Sequence, residues 1–183
     1  MAEHLSKNKY EYGLGKNAAN FTPLTPLSFI ERTARVFPDY TAVIHGEIRR
    51  SWAETYQRCI KLASALHNRG VKKGDTVAMM LPNVPAALEA HFGVPMSGAV
   101  LNALNIRLDA KTIAFILDHG EAEILLTDKE FSDTIKEALS LCKSKPLVID
   151  VEDDLAPDGE LLGEIEYEDF LNEGNINYEW QYP

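Results

Sequence analysis

GVKKGDTVAMMLPNVPAALEAHFGVPMSGAVLNALNIRL, residues Gly70 to Leu108, runs a helix stop, a buried strand, a helix and a second buried strand into one unit. Val71-Lys72-Lys73-Gly74-Asp75 reads as a tight polar corner, and Thr76 to Leu81 is a short apolar run bounded by Pro82. Such a run fits a parallel strand covered on both faces, which has no wet side to demand alternation. Asn83 has a capping-type side chain, Pro85 suits a first helical turn, and Gly98 closes the helix before the next apolar run begins at Ala99.

Working upstream, Ser51 with Glu54 forms a capping box, and Trp52, Tyr56, Cys59, Ile60, Ala63 and Leu66 then fall at helical spacing down one face. Gly70 supplies the left-handed stop, with Val71 placed for the hydrophobic contact beyond it. Thr41 to His45 and Ile48 to Arg50 flank Gly46-Glu47, the signature of a two-residue hairpin. Ser28 with Glu31 suggests a second capping box, opening a short helix that ends near Val36 before Phe37-Pro38-Asp39.

Downstream, strands are expected near 76–81, 99–104, 123–127 and 147–151, alternating with helices near 84–96, 110–119 and 131–142. Strand–helix alternation at this spacing forces right-handed crossovers, so the expected fold is α/β: a doubly wound, mostly parallel sheet with flanking helices and an N-terminal β-hairpin. Residues 1–20 are polar and aperiodic and read as a flexible N-terminus, followed by the stiff lead Thr22-Pro23-Leu24-Thr25-Pro26 and an α/β unit over 21–151. Residues 152–183 read as an acidic trailing segment lying across the surface. It holds a turn at Ala156-Pro157-Asp158-Gly159, an amphipathic stretch from Tyr167 to Leu171, and the aromatics Tyr178, Trp180 and Tyr182.

A chain of 183 residues with 45% hydrophobic content can bury one core, and the natural domain count is one. Its net charge of −10 is unevenly spread. All 18 Lys and Arg lie at or before Lys145 against 16 acidic residues there, and 12 acidic residues follow from Asp150 onward. The first part is therefore +2 and the remainder −12. A near-neutral body without a basic stripe gives no footprint for nucleic acid, and no such partner is expected. No apolar run approaches the roughly 18 residues that span a bilayer, and MAEHLSKNKY lacks a signal peptide's apolar core. Cys59 and Cys142 suggest neither a disulfide framework nor a metal ribbon, which fits a reducing, cytoplasmic setting.

The Gly70–Leu108 unit resembles the N-terminal subdomain of the AMP-forming acyl-CoA synthetases, within the acyl-adenylate-forming enzymes. The residues that carry the likeness are Gly74-Asp75 leading to Val77-Ala78, then Pro82-Asn83, then Gly98-Ala99 leading to Asn105 and Arg107-Leu108. Arg50-Ser51-Trp52-Ala53-Glu54-Thr55-Tyr56 resembles the lead-in to that family's first long helix, and the likeness covers roughly Pro26 to Asp150. Ala103 and Ile106 stand where many members carry prolines, and Pro95 interrupts a helix usually uninterrupted. The version here looks most like the fatty-acid and medium-chain carboxylate branch and its plant acyl-activating relatives.

The resemblance implies an enzyme in which a carboxylate attacks the α-phosphate of ATP, with Mg2+ assisting, and the CoA thiol then displaces AMP. A fatty-acid carboxylate is the implied small-molecule partner. Relatives hold the ATP phosphates in a Ser/Thr/Gly-rich loop ending in lysine, and this sequence has none, although Tyr178 to Pro183 resembles the segment just before it. The chain is therefore expected to be an incomplete N-terminal fragment, inactive alone and binding no cofactor tightly. Relatives place the loop after the Gly-Ala strand near the CoA nucleotide, which implies contacts from Asn105, Ile106 and Arg107. Arg107 suits a phosphate; read as a residue alone, it caps the preceding strand or pairs with Asp109.

Two other classes remain open: a free-standing flavodoxin-like binding or receiver module, and a non-catalytic interaction protein that pairs or self-associates through an exposed apolar face. A receiver needs an acid at the end of a central strand, and Leu81 and Leu104 end two of them. The Gly13–Ala18 string matches a dinucleotide motif without a preceding strand, and Asn20-Phe21-Thr22 is a sequon without a secretory signal. His4, His45, His67, His91 and His119 lack metal-ligand spacing, and His119 fits a helix C-terminus. Asp150, Glu152, Asp153 and Asp154 read as a solvated acidic loop, with a magnesium or phospho-acceptor role as the alternative. Met79, Met80 and Phe92 read as core, with an acyl tunnel as the alternative.

Overall fold

In the computed structural model, residues 13, 15–17, 19, 21, 25–156 and 158–180 are described. Residues 1–12, His4 among them, Leu14, Ala18, Asn20, Thr22 to Leu24, Pro157 and the last three residues lie outside them, so the expectation of a flexible N-terminus and the sequon's Asn20 and Thr22 fall there. Helix α1 spans Pro26–Val36 and opens one turn earlier than Ser28 suggests. Thr25 is the cap, its hydroxyl accepting the Leu27 N–H at 3.3 Å, and Pro26 takes the first position, where its missing N–H removes nothing.

The hairpin follows, β1 at Thr41–His45 and β2 at Ile48–Ser51, turning on Gly46 at φ +51. Helix α2, Trp52–Asn68, carries the expected capping box: Ser51 Oγ accepts from Glu54 N–H at 3.2 Å and Glu54 Oε2 accepts from Ser51 N–H at 2.7 Å. It ends as foreseen, with Gly70 at φ +90 and the Val71 N–H reaching back to the Leu66 carbonyl at 3.1 Å.

Strand β3, Thr76–Met80, leads into α3, Pro85–Met96, whose cap residue is Val84 without a side-chain bond. Asn83 is therefore not the cap and faces solvent in the loop. Pro95 falls in the last turn, so α3 runs through it to Met96. Strand β4, Val100–Ala103, is followed by α4, Ala110–His119, then β5, Ala122–Asp128. After a short 3-10 turn at Lys129–Phe131 come α5, Ser132–Leu141, and β6, Leu147–Val151. Two elements complete the chain, β7 at Ile165–Glu166 and α6 at Tyr167–Asn172.

Five strands form one parallel sheet in the order β4-β3-β5-β6-β7, and the hairpin stands apart. Counted from β3, that order is second, first, third, fourth, fifth, the flavodoxin-like winding. On one face α2, α3 and α6 cover Val77, Met79, Ile124, Leu126, Ile149 and Val151. On the other, α4 and α5 cover Ala78, Met80 and Leu125. Helix α1 adds an outer layer through Leu27 and Ile30 against Cys59 and Ala63 of α2 and Met96 of α3. Helix α3 thus lies between sheet and helices and is apolar on every side but for Glu89 and His91. At Gly93 an added Cβ would sit 2.8 Å from Leu62 and 2.9 Å from the Cys59 carbonyl, so only glycine lets α2 approach this closely.

Two expectations are corrected. Strand β4 pairs with β3 alone and is the sheet's edge, so Val100 is 53% exposed rather than buried. The trailing segment does not lie across the surface, because β7 extends the sheet and Tyr167, Phe170 and Leu171 are buried in the main core. Its charges add ion pairs to that burial. Glu152 meets Lys129, Asp153 meets His45, Glu160 meets Lys136, Glu168 meets Arg50 and Arg58, and Glu173 meets Arg69. The segment then runs back along α2, with the Asn175 N–H on Ser64 Oγ at 2.9 Å and the Trp180 indole N–H on the Tyr56 hydroxyl at 3.0 Å.

Candidate functional site at the carboxyl edge of the sheet

Open parallel sheets bind ligands beyond the carboxyl ends of their strands, where the strand order reverses. Here the chain passes from β3 out to β4 and back across β3 to β5, so the reversal lies between β3 and β5. The loops at that edge are Leu81-Pro82-Asn83, Asn105-Ile106-Arg107, Asp128-Lys129 and Glu152-Asp153.

Asp128 ends the central strand and is fully buried. Its Oδ1 accepts the Glu130 N–H at 3.0 Å, while Oδ2 has no hydrogen-bond partner among the described residues. Burial pushes this carboxyl above its ordinary value, against the Glu130 hydrogen bond that lowers it. Asp150, also buried, accepts the Gly163 N–H at 2.6 Å on Oδ2 and leaves Oδ1 without a partner. Neighbouring Lys129 reaches Glu152 at 2.8 Å, and His45 meets both Asp153 oxygens at 2.9 and 3.0 Å.

Of the four acids only Asp150 is buried, opposite Thr127 inside the sheet; Glu152 and Asp154 are exposed, as a solvated acidic loop implies, with Lys129 on Glu152 and His45 on Asp153. An acid does end the central strand, at Asp128, which weighing Leu81 and Leu104 did not find. It caps a turn from within the core and offers no exposed carboxylate to a phosphoryl donor. Among the described residues, no group of three or more His, Cys, Asp or Glu side chains can hold a metal ion.

Behind this edge lies a constellation that sequence reasoning missed. Glu89 of α3, 0% exposed, accepts from Arg50 Nη1 at 2.9 Å, Arg58 Nε at 2.6 Å and the Tyr167 hydroxyl at 2.9 Å. Arg58 also forks onto Glu168 at 2.8 and 2.6 Å. Burial opposes the Arg58 cation, yet the bonds to Glu168 and Glu89 hold it well above its ordinary value. Burial and the Glu89 charge together push the Tyr167 phenol well up. One carboxylate thereby ties β2, α2, α3 and α6 together. The available signal was a lone Glu in the otherwise apolar run PAALEAHFGVPM; its partners were unreadable because they lie 31 to 78 residues away.

Asn105, Ile106 and Arg107 come together as one exposed turn beyond β4, beside the β3 loop, where the Leu104 N–H meets the Met79 carbonyl at 2.8 Å. Asn105 Oδ1 accepts the Arg107 N–H at 2.9 Å, which holds the turn. Among the described residues Arg107 has no ion-pair partner. Asp109 instead caps α4, its carboxyl lowered by the Thr112 backbone and hydroxyl bonds at 2.9 and 3.0 Å. Met79 and Met80 are core and Phe92 packs beside α1, as expected without a tunnel. Between β1 and the start of α3 lies a groove of about 360 Å3, lined by Val43, Ile44, Asn83, Val84, Leu88 and His91 among others.

The doubly wound parallel sheet, with an exposed turn beyond edge strand β4, defines an α/β protein of flavodoxin-like winding. The family model described as AMP-binding enzyme matches residues 30–175, and the chain belongs to that family. Over 182 residues it is 47% identical to acetate/butyrate–CoA ligase AAE7, peroxisomal, of Arabidopsis thaliana, covering 93% of this chain and 32% of that protein. It is equally 47% identical over 182 residues to acetate–CoA ligase CCL3 of Humulus lupulus, with the same coverage. The anthranilate CoA ligase AuaEII, solved with anthranoyl-AMP, has the same fold at TM-score 0.79, with 17% identity over 91% of this chain and 32% of that one. The chain thus spans about a third of the length of the curated relatives it matches.

Proposed function

We propose that this chain is the N-terminal part of an AMP-forming acyl-CoA ligase, which joins a carboxylate to CoA through an acyl-adenylate at the expense of ATP. The observation that carries the reading is the 47% identity to acetate/butyrate–CoA ligase AAE7 across 93% of the chain. Short acids head the substrate classes in the relatives' names: acetate and butyrate, with cinnamate and benzoate among further ones.

Within that enzyme the sheet and its helices act as scaffold, and the 105–107 turn forms a wall for CoA. An exposed guanidinium without an ion-pair partner among the described residues, on a turn held by Asn105, fits a phosphate, and Arg107 would hold it in a bidentate grip. This sequence carries no Ser/Thr/Gly-rich phosphate loop, and in this reading the ATP and Mg2+ sites belong to other parts of the ligase. The isolated chain accordingly releases no AMP. The two free, buried cysteines support a reducing, cytoplasmic location; the competing site is the peroxisome, which the names of several plant relatives carry.

The test is carboxylate-dependent exchange of labelled diphosphate into ATP by the polypeptide extended past Pro183 in its own reading frame. Exchange with acetate or butyrate supports the reading. No exchange with any C2 to C12 or aromatic acid, from a folded protein, overturns it.

A further inference from the structure

At the carboxyl edge of the sheet a short strap crosses two carboxyls that the ligase reading leaves without a role. Asp128 Oδ2 and Asp150 Oδ1 are buried without hydrogen-bond partners among the described residues, and each such oxygen costs free energy. Residues 158–163 bear on both positions. At Gly159, φ +99, an added Cβ would collide with the Lys129 carbonyl of the turn that Asp128 caps, so the strap's backbone lies directly against that turn. The Glu160 N–H bonds Ser132 Oγ at 3.1 Å, at the start of α5, and the Gly163 N–H bonds Asp150 Oδ2 at 2.6 Å.

The strap itself is weakly held. It has no helix or strand, residues 158–161 are exposed, Leu162 is only partly buried against the core, and the Glu160–Lys136 pair joins two exposed groups. Few buried contacts and solvent-facing ties mark a segment that opens well below global unfolding. Asp128 is surrounded by charge. Glu130 on its own turn and Asp153 from the loop after β6 disfavour its ionised form, and Lys129 favours it. Lys129 and Asp153 are themselves engaged by Glu152 and by His45 of β1, while the strap brings in Asp158 and Glu160. A carboxylate formed under the closed strap keeps one oxygen dry and unpaired, and lifting the strap lets water reach it.

We propose that residues 158–163 form a pH-sensitive strap, closed over the turn of a protonated Asp128 and opening as Asp128 loses its proton to water. Opening breaks the Glu160 and Gly163 N–H bonds and uncovers the Asp128–Ser132 turn at the carboxyl edge. Burial holds this carboxyl above its ordinary 3.8, so closure is strongest below that value and weakens as pH rises through the raised one. All the parts lie within this chain, whatever the longer polypeptide does.

The test is amide hydrogen exchange of the 183-residue chain from about pH 5 to about pH 8, each amide compared with an unstructured chain at the same pH. Protection at Glu160 and Gly163 is expected to lie about tenfold or more below that of Leu126 and Ile149 in the core, and to fall severalfold across the range. In Asp128→Asn the fall should be absent. Strap amides as protected as the core overturn the proposal, because the strap then opens only with the whole chain. Strap protection that is constant with pH overturns it as well. A fall that persists in Asp128→Asn also overturns it and points to the His45–Asp153 pair instead. Gly159→Ala gives a second variant, since its Cβ holds the strap off the Lys129 carbonyl. There, protection at Glu160 and Gly163 should be lost at every pH, and the Asp128 carboxyl, followed by carbon NMR, should titrate back towards its ordinary value. An Asp128 titration that Gly159→Ala leaves in place shows strap and carboxyl uncoupled and overturns the proposal.

Discussion

Glu89 concentrates more of this molecule's organisation than any other side chain. Removing it takes the buried acceptor from Arg50, Arg58 and Tyr167; the two guanidiniums keep Glu168 and some solvent, so the cost is at or below the roughly 3–5 kcal/mol of breaking a fully buried pair. Glu89→Ala is therefore expected to lower the urea midpoint steeply, and a shift worth under about 1 kcal/mol would show that the tie contributes little. Asp128 predicts the opposite sign. Its folded carboxyl is raised above the ordinary 3.8, so the stability it contributes is full below that value and lost as pH climbs through the raised one. Asp128→Asn keeps the oxygen that caps Glu130 and removes the charge, so the variant should exceed the parent in stability at pH 7 and lose that advantage on acidification. Urea titrations at both pH values check it. The sequence disclosed neither residue's role, since a lone Glu and a strand-end Asp acquire meaning only from partners brought in by the fold.

At the scale of elements, local signals were legible wherever the chemistry was local. The Ser51–Glu54 box, the Gly70 stop, the Gly46 turn and the first four parallel strands follow from side chains a few residues apart. The fifth strand did not, because β7 is two residues long; the amphipathic stretch from Tyr167 to Leu171 is α6, but the acidic composition around it hid that Tyr167 and Phe170 are buried. Those residues are core: Phe170→Ala should destabilise by about 3–5 kcal/mol, measured as a loss in the denaturant midpoint. Just beyond α6, a Cβ at Gly174 would collide with the Lys61 carbonyl, and Gly174→Ala is expected to lift the tail from α2 at about 1–3 kcal/mol. The change should show in Trp180 fluorescence, and an unaltered spectrum with unaltered stability would contradict the docking. The half-exposed Arg69–Glu173 pair carries far less, under about 1 kcal/mol, and fades with salt.

Over the whole molecule, the −12 charge after Lys145 reads differently once the fold is known. It marks a segment held by complementary cations on α2, the hairpin and the α5 region, which is invisible to a charge count. Fold class and family were legible because an ordered series of short motifs spans most of the chain. The candidate site was legible only as far as the 105–107 turn, where Arg107 is exposed but its alternative pairing with Asp109 is not formed, since Asp109 caps α4. Arg107→Ala in the longer polypeptide should raise KM for CoA severalfold with kcat little changed, and an unchanged KM would remove the CoA contact. The most direct measurement of the central claim is AMP release by that polypeptide with CoA and carboxylates from C2 to C12. The account predicts AMP release that needs CoA and varies with chain length, and none from the 183-residue chain alone. AMP release by the pure 183-residue chain, or its absence from a folded longer one, would contradict it.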